Sequence, residues 1–351
     1  MKHAQTPESW NVERRWLERV PKVELHIHLE GAIPLNSLWQ LIKKYGGDPE
    51  VPDQGALAER FVYRDFPHFL RLWQWKNRFL REYEDFSFMA KAVAEYLLRQ
   101  GVCYAEVFFS PAEYSGHGLE PQGLAEAIRM GMDSVKDIRL NLVCDLVRDL
   151  GAARGMRTLE EIAEVGPTCG VVGIGIGGSE HEVPPEVFTE VFHRARDLGF
   201  RTSAHAGEAA GPASVWGALR SLEADRIGHG TRAQEDPELV AYLKDRSIPV
   251  ELCPISNLKT GVITRLEDHP VRRYFELGLR LSINSDDPAM FGTSLVDELL
   301  ALRRQLGFKR REIKQLTLQA AESSWLSEGE RQTLTHEIGT HPVWAEADGQ
   351  T

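Results

Sequence analysis

A (β/α)8, or TIM, barrel is the fold class that this 351-residue sequence predicts. Three observations predict it. Eight short apolar runs recur along the chain, stretches of helical period lie between them, and chemically competent residues gather at the ends of the runs.

The apolar runs are residues 23–28, 103–109, 139–146, 171–176, 201–205, 225–229, 249–253 and 280–284. Their β-branched and aromatic content and near-continuous apolarity suit parallel strands buried on both faces. Residues 86–100 read FSFMAKAVAEYLLRQ and end at Gly101, as a C-capped helix should. Residues 124–136, 185–198, 213–222 and 237–245 have similar character, and Pro185 and Pro237 open two of them. A doubly wound sheet is the competing architecture; the succession of βα units favours the barrel. Residues 31–100 are too many for one βα loop and are expected to hold extra helices over the barrel mouth. The region after Leu295 reads as further helices and a polar tail. No repeat, low-complexity tract or linker interrupts the chain, which reads as one domain over 1–351.

The composition is that of a globular protein, 42% hydrophobic and 26% charged, with a formal net charge of −11. Such a surface disfavours nucleic acid and anionic lipid, so a small-molecule substrate is expected. Cys103, Cys144, Cys169 and Cys253 form no C-x-x-C pair and fit a reducing compartment. The first twenty residues are charged and lack an apolar core, and no run reaches about 18 apolar residues. The expectation is a cytoplasmic enzyme without a membrane span; oligomeric state is not readable from the sequence.

In barrel enzymes the reacting groups sit at the C-terminal ends of the strands. Here the first strand ends in His26-Ile27-His28, the fifth in His205-Ala206-Gly207-Glu208, the sixth in His229 and the eighth in Asp286-Asp287. The two-residue spacing puts the His26 and His28 imidazoles on one face of the strand. With His205 and Asp286 they make a ligand set for one Zn²⁺ or similar divalent ion with an open position for water. Glu208 is placed to move a proton between water and a ring nitrogen. His229, between Gly228 and Gly230, is placed to orient and deprotonate that water, the glycines letting a ligand approach. Of the adjacent Asp286 and Asp287, one suits a metal and the other a substrate hydrogen bond. Gly173-Ile174-Gly175-Ile176-Gly177-Gly178 formally matches G-x-G-x-x-G, but acid and proline follow where a phosphate-binding helix should begin. These glycines are expected to lie flat against a planar ligand instead. The fourth strand ends without a lysine that could bridge two metals, which argues for one ion.

These segments resemble the adenosine deaminase family of the amidohydrolase group. The likeness is carried in order by Pro21-Lys22-Val23-Glu24-Leu25-His26-Ile27-His28-Leu29-Glu30-Gly31, His205-Ala206-Gly207-Glu208, Gly211-Pro212-Ala213-Ser214, Gly228-His229-Gly230, Glu251-Leu252-Cys253-Pro254-Ile255-Ser256-Asn257 and Ser285-Asp286-Asp287-Pro288. The resemblance implies Zn²⁺ on His26, His28, His205 and Asp286, with hydroxide delivered to purine C6 and ammonia leaving. It implies that Glu208 protonates N1, His229 activates water, the Gly178 amide meets N3 and Asp287 binds N7. Residues 65–73 resemble the family's apolar helix over the site, with Phe66, Phe69, Leu70 and Trp73 on one helical face. That face is either a lid over the purine or ordinary packing on the barrel. Adenosine is the default substrate that the resemblance implies.

Two positions depart from the adenosine pattern. Glu30 stands where adenosine-specific members carry an Asp for the ribose 5′-hydroxyl, and free-adenine members often carry Glu. Gly177-Gly178-Ser179-Glu180 matches neither the Ala-Gly-Asp-Glu nor the Asp-Ser-Ser-Glu version of its turn. Adenine and 6-aminodeoxyfutalosine are therefore the alternative substrates. Metal-dependent ester or amide hydrolysis, and a binding protein with a relic site, are the readings from other classes. The first predicts two metals, and the retention of all four ligand candidates argues against the second.

Overall fold

The computed structural model describes residues 7–347, and its centre is an eight-stranded parallel sheet in the order β1 to β8. The strands are β1 (Lys22–His28), β2 (Val102–Phe109), β3 (Arg139–Val147), β4 (Val171–Gly177), β5 (Arg201–Ala206), β6 (Arg226–His229), β7 (Val250–Leu252) and β8 (Leu281–Ile283). All eight predicted runs form strands, displaced at their ends by at most one residue. The backbone just after β8 closes the barrel on β1: His28 N–H donates to Asp286 O at 2.9 Å and Asp286 N–H to His26 O at 3.2 Å. Closure thus passes through candidate site residues. The strands are buried almost throughout, as a barrel packed inside and outside requires.

The β4–β5 ladder is short, holding only Gly173 against Arg201 and Ile174 against Thr202. Beyond it the Ile176 carbonyl meets the His205 ring, Nδ1 to O at 3.0 Å. A backbone acceptor freed from the sheet is satisfied by a side chain of the site.

After β1 the chain builds helices Leu35–Lys44, Gln54–Arg60, Phe66–Asn77 and Tyr83–Arg99 before it enters β2. Asp65 caps Phe66–Asn77 by accepting from His68 N–H at 2.8 Å, and Pro67 sits in its first turn. Helices Leu295–Gln305, Arg310–Glu322 and Glu328–Thr340 follow β8, as expected for the C-terminal region. The predicted 185–198 helix is split into a 3₁₀ turn, Pro185–Phe188, and an α-helix, Thr189–Asp197. The 19-residue helix Gly151–Cys169 is not among those the periodicity picks out. Gly151, Gly155, Gly166 and Pro167 dilute its apolar pattern, and packing against β3 and β4 supplies what propensity lacks. Among the described residues no helix is long and apolar enough to cross a membrane.

Helices Tyr83–Arg99 and Pro121–Asp133 touch through Gly131, where a Cβ would stand 2.2 Å from the Ser87 carbonyl oxygen. Backbone on one side and backbone on the other leave nothing to yield. Gly131→Ala is expected to destabilise the protein by about 1–3 kcal/mol through overpacking. Gly329→Ala, in an exposed helical turn with open space at its Cβ, is expected to be neutral or mildly stabilising. Paired denaturant melts check the contrast, and equal midpoints would show that the helices part without strain.

Candidate active site

One cavity of about 400 Å³ opens at the C-terminal ends of the strands. Its lining includes His28, His205, Glu208, His229, Asp286 and Asp287 at the base, Gly177 and Gly178 on one wall, and Phe66, Phe69, Leu70 and Trp73 from the overlying helix. Phe69 stacks on Phe291 with ring centroids 5.2 Å apart, and Trp73 Nε1–H donates to Glu113 at 3.0 Å. The apolar face of that helix therefore turns toward the cavity rather than only onto the barrel.

The polar atoms of the base converge. His28 Nε2 lies 3.1 Å from His205 Nε2 and 3.4 Å from Asp286 Oδ1, and His26 Nε2 lies 3.6 Å from the same oxygen. Ligand atoms about 2.0–2.2 Å from a tetrahedral ion stand roughly 3.4 Å apart, so these edges fit one metal. His26 Nε2 and Asp286 Oδ1 are buried and otherwise without a hydrogen-bond partner. His26, His205, His229 and Asp286 also bring ligand atoms within 4.8 Å of one another. Two sets of four therefore share three members, with His28 or His229 as the fourth. His229 Nε2 is 3.6 Å from Glu208 Oε2, which suits a group that works beside the metal.

Three of the histidines and Asp286 are aimed from behind, whereas His28 Nδ1 is buried without a hydrogen-bond partner among the described residues. His26 Nδ1 meets Glu251 Oε2 at 2.8 Å, His205 Nδ1 the Ile176 carbonyl, and His229 Nδ1 the Asn257 amide at 3.1 Å. Asp286 Oδ2 accepts from Ser256 Oγ at 2.6 Å. Such outer partners hold ring orientation and leave the inward nitrogens free. His229 and Asp286 carry left-handed backbone, φ 58° and 63°, which β-carbon sterics disfavour. Glu180 fixes the next loop: its oxygens accept from the amides of Gly207, Glu208, Ala209 and Ala210 at 2.6, 3.1, 2.7 and 3.0 Å. Glu208 thereby has a fixed backbone.

Burial keeps three of the histidines neutral: it lowers the pKa of His28 to about 3, of His229 to about 4, and of His205 well below the ordinary value. At His26 burial is outweighed by Asp286 and Glu251, which raise its pKa to about 10. The cluster thus offers neutral nitrogens and a carboxylate around a point that favours positive charge, the donor set of a divalent cation. Burial pushes the Glu208 carboxyl well above the ordinary range, reinforced by Asp286 and Glu180.

Two expectations about glycines are corrected, and Glu30 is set just outside the lining. Glu30 is 1% exposed; its Oε1 accepts from Ser110 N–H at 3.0 Å, and its Oε2 is buried without a hydrogen-bond partner among the described residues. It stands behind the wall near the enclosed ammonium of Lys76, whose charge also faces Glu113 and Asp287. Gly173 and Gly175 make room for protein rather than a planar ligand, since Cβ atoms there would meet Trp325 at 2.2 Å and Phe108 at 2.6 Å. Gly228 likewise clears the His26 ring, at 2.9 Å. Sequence reading did not single out Asp145, Glu113 or Lys76, nor give roles to Glu251 and Asn257. A charge inside an apolar run, as at Asp145 and Glu251, is the signal that was available.

Glu251 Oε1 also forms an ion pair with Arg226, 2.6 Å from its Nε. Replacing it with Gln removes the charge that orients His26, and metal affinity is expected to fall about 10–100-fold. Competitive chelator titration measures this; unchanged affinity would show that Glu251 only holds Arg226.

Residues 21–341 match the family model described as adenosine deaminase. Adenine deaminase of Bordetella avium is 37% identical over 304 residues, 86% of this chain and 96% of that protein. Aminodeoxyfutalosine deaminase of Streptomyces avermitilis is 34% identical over 327 residues, 92% of this chain and 91% of that one. Among solved structures, an amidohydrolase from Burkholderia ambifaria with bound Zn superposes with a TM-score of 0.88 at 25% identity, covering 100% of this chain and 97% of that chain.

Proposed function

The chain belongs to the adenosine deaminase family and is a metal-dependent hydrolase that deaminates aminopurines, and from that premise we propose how its residues act and on what. The reaction is 6-aminopurine plus water to 6-oxopurine plus ammonia. One observation carries the reading: an enclosed carboxyl that favours its protonated form, Glu208, stands within one cavity beside the His26–His28–His205–Asp286 cluster.

His26, His28, His205 and Asp286 would hold a single Zn²⁺, as the bound Zn of the Burkholderia relative supports. When bound, such an ion supplies hydroxide at neutral pH by lowering the pKa of water to about 7. Glu208 gives its proton to N1 and makes C6 electrophilic. His229, held by Asn257, orients the attacking water. The Gly178 amide and Asp287 border the cavity where they can meet N3 and N7, and Phe66 and Phe69 exclude water above the ring.

The cavity falls in the size range of sites for drug-sized ligands, which leaves room beyond a bicyclic base. We assign a 6-aminopurine bearing an N9 substituent, with adenosine the first to test. Aminodeoxyfutalosine fits the same description and is favoured by the Streptomyces relative. Free adenine is the second reading, favoured by the Bordetella relative.

Metal-loaded protein incubated with adenosine, adenine and aminodeoxyfutalosine is expected to change the ultraviolet spectrum of at least one as the amine is lost. Absence of turnover on all three would refute the assignment. Glu208→Gln is expected to lower kcat about 10²–10⁴-fold with metal content intact by elemental analysis. Loss of metal in that variant would make Glu208 a ligand instead. Stripping the metal with a chelator should abolish turnover, and readdition of Zn²⁺ should restore it.

A further inference from the structure

Asp145 lies on β3 two residues before its end, borders the cavity together with Val147 and is 4% exposed. Its Oδ1 is enclosed and has no hydrogen-bond partner among the described residues. The neighbouring strand is cut away around it. A Cβ on Gly175, its register partner on β4, would stand 2.7 Å from Oδ1, and one on Gly177 would stand 2.7 Å from Oδ2. Two glycines therefore make space for a carboxyl group that no protein donor uses. A buried polar atom left unpaired costs about 1–3 kcal/mol, more when charged, and persists where something else completes it. Burial raises the pKa of this carboxyl, and Glu30 and Glu113 add to the effect against His26 and Arg148, so the protein itself does not compensate the group.

Its place in the cavity says what would. If C6 of a purine lies at the His26–Asp286 cluster, the atom opposite C6 in the six-membered ring is N3, and N9 is bonded to the next carbon, C4. The N3–N9 edge then faces away from the cluster, and the deaminase reading, which sets the Gly178 amide against N3, puts it at the wall that Asp145, Gly177 and Gly178 line. We propose that Asp145 is a specificity-determining residue that accepts a hydrogen bond from a donor on the N9 side of the substrate. That donor is N9–H in a free base or a hydroxyl on an N9 substituent. The inference rests on the deaminase reading.

The test assays wild type, Asp145→Ala and Asp145→Asn, all metal-loaded, on adenine, adenosine and 9-methyladenine, which carries no donor at that edge. Asp145→Ala is expected to lose about 10–100-fold in kcat/KM on the donor-bearing substrate, as leaving a buried substrate donor without its acceptor would. On 9-methyladenine, by turnover or by its inhibition constant, the expected change is under about 3-fold. Asp145→Asn keeps an acceptor oxygen in place and should recover most of the loss. If Asp145→Ala does not fold, Asp145→Ser, which withdraws the acceptor, gives the same readout. A loss on adenine assigns N9–H and a loss on adenosine assigns a sugar hydroxyl; either upholds the proposal. Equal losses on 9-methyladenine, or no loss on any substrate, overturn it while leaving the deaminase reading intact. A wild type inactive on every aminopurine overturns both.

Discussion

The contact between Glu251 and His26 is the one on which the mouth of the barrel depends, and it is the top of a buried chain of charge. Glu106 pairs with Arg226 at 2.6 Å, Arg226 with Glu251 at 2.6 Å, and Glu251 with His26 at 2.8 Å, each side chain 0–1% exposed. Tyr104 and the Trp325 amide hold Glu106, Ser203 adds a bond to Glu251, and the Trp325 ring covers the Arg226 guanidinium at 3.5 Å. Well-packed apolar residues of similar volume would often be as stable in such a place, whereas a broken member leaves an uncompensated charge. The chain therefore does little for net stability and a great deal for geometry. It fixes His26, and His26 together with Asp286 fixes where positive charge can sit.

Backbone hydrogen bonding carries that geometry around the ring. Asp286 exchanges backbone bonds with His26 and His28, so the step that closes the barrel also sets three ligand candidates against one another. His205 is tied to Ile176 O through its ring and to Arg148 through its carbonyl, at 2.7 Å. Glu180 then gathers four amides of the following loop. The left-handed backbone at His229 and Asp286 survives because these bonds over-determine it, as strained residues at functional sites require.

What the sequence made legible was whatever has a period or a spacing. Parallel strands buried on both faces leave apolar runs, so all eight were found; two histidines two residues apart on a strand share a face, so the cluster was found. The helix Gly151–Cys169 was missed because glycines and a proline hide a pattern that packing overrides. The surroundings of Glu30 were not legible, because chain neighbourhood with His28 does not settle direction: the short helical turn Leu29–Ala32 carries it to Ser110. The glycines of β4 were misread for a related reason. A glycine announces a close approach, but whether a ligand, Trp325 or Phe108 approaches depends on strands distant in sequence.

The same burial gives the site's carboxyl groups opposite fates, and that divergence is what turns a cluster of charges into an acid and a ligand. Asp286 lies among His26, His28 and His229, whose influence outweighs burial and holds its carboxyl well below the ordinary range. Glu208, about as enclosed, faces His229 kept neutral by its own burial and feels Asp286 and Glu180 as like charges, so its proton is retained. Two carboxyl groups pushed apart in this way can serve as anion and proton donor at one pH. Neither value belongs to its residue alone: each follows from which strand end points at it, and hence from the order in which eight short strands close.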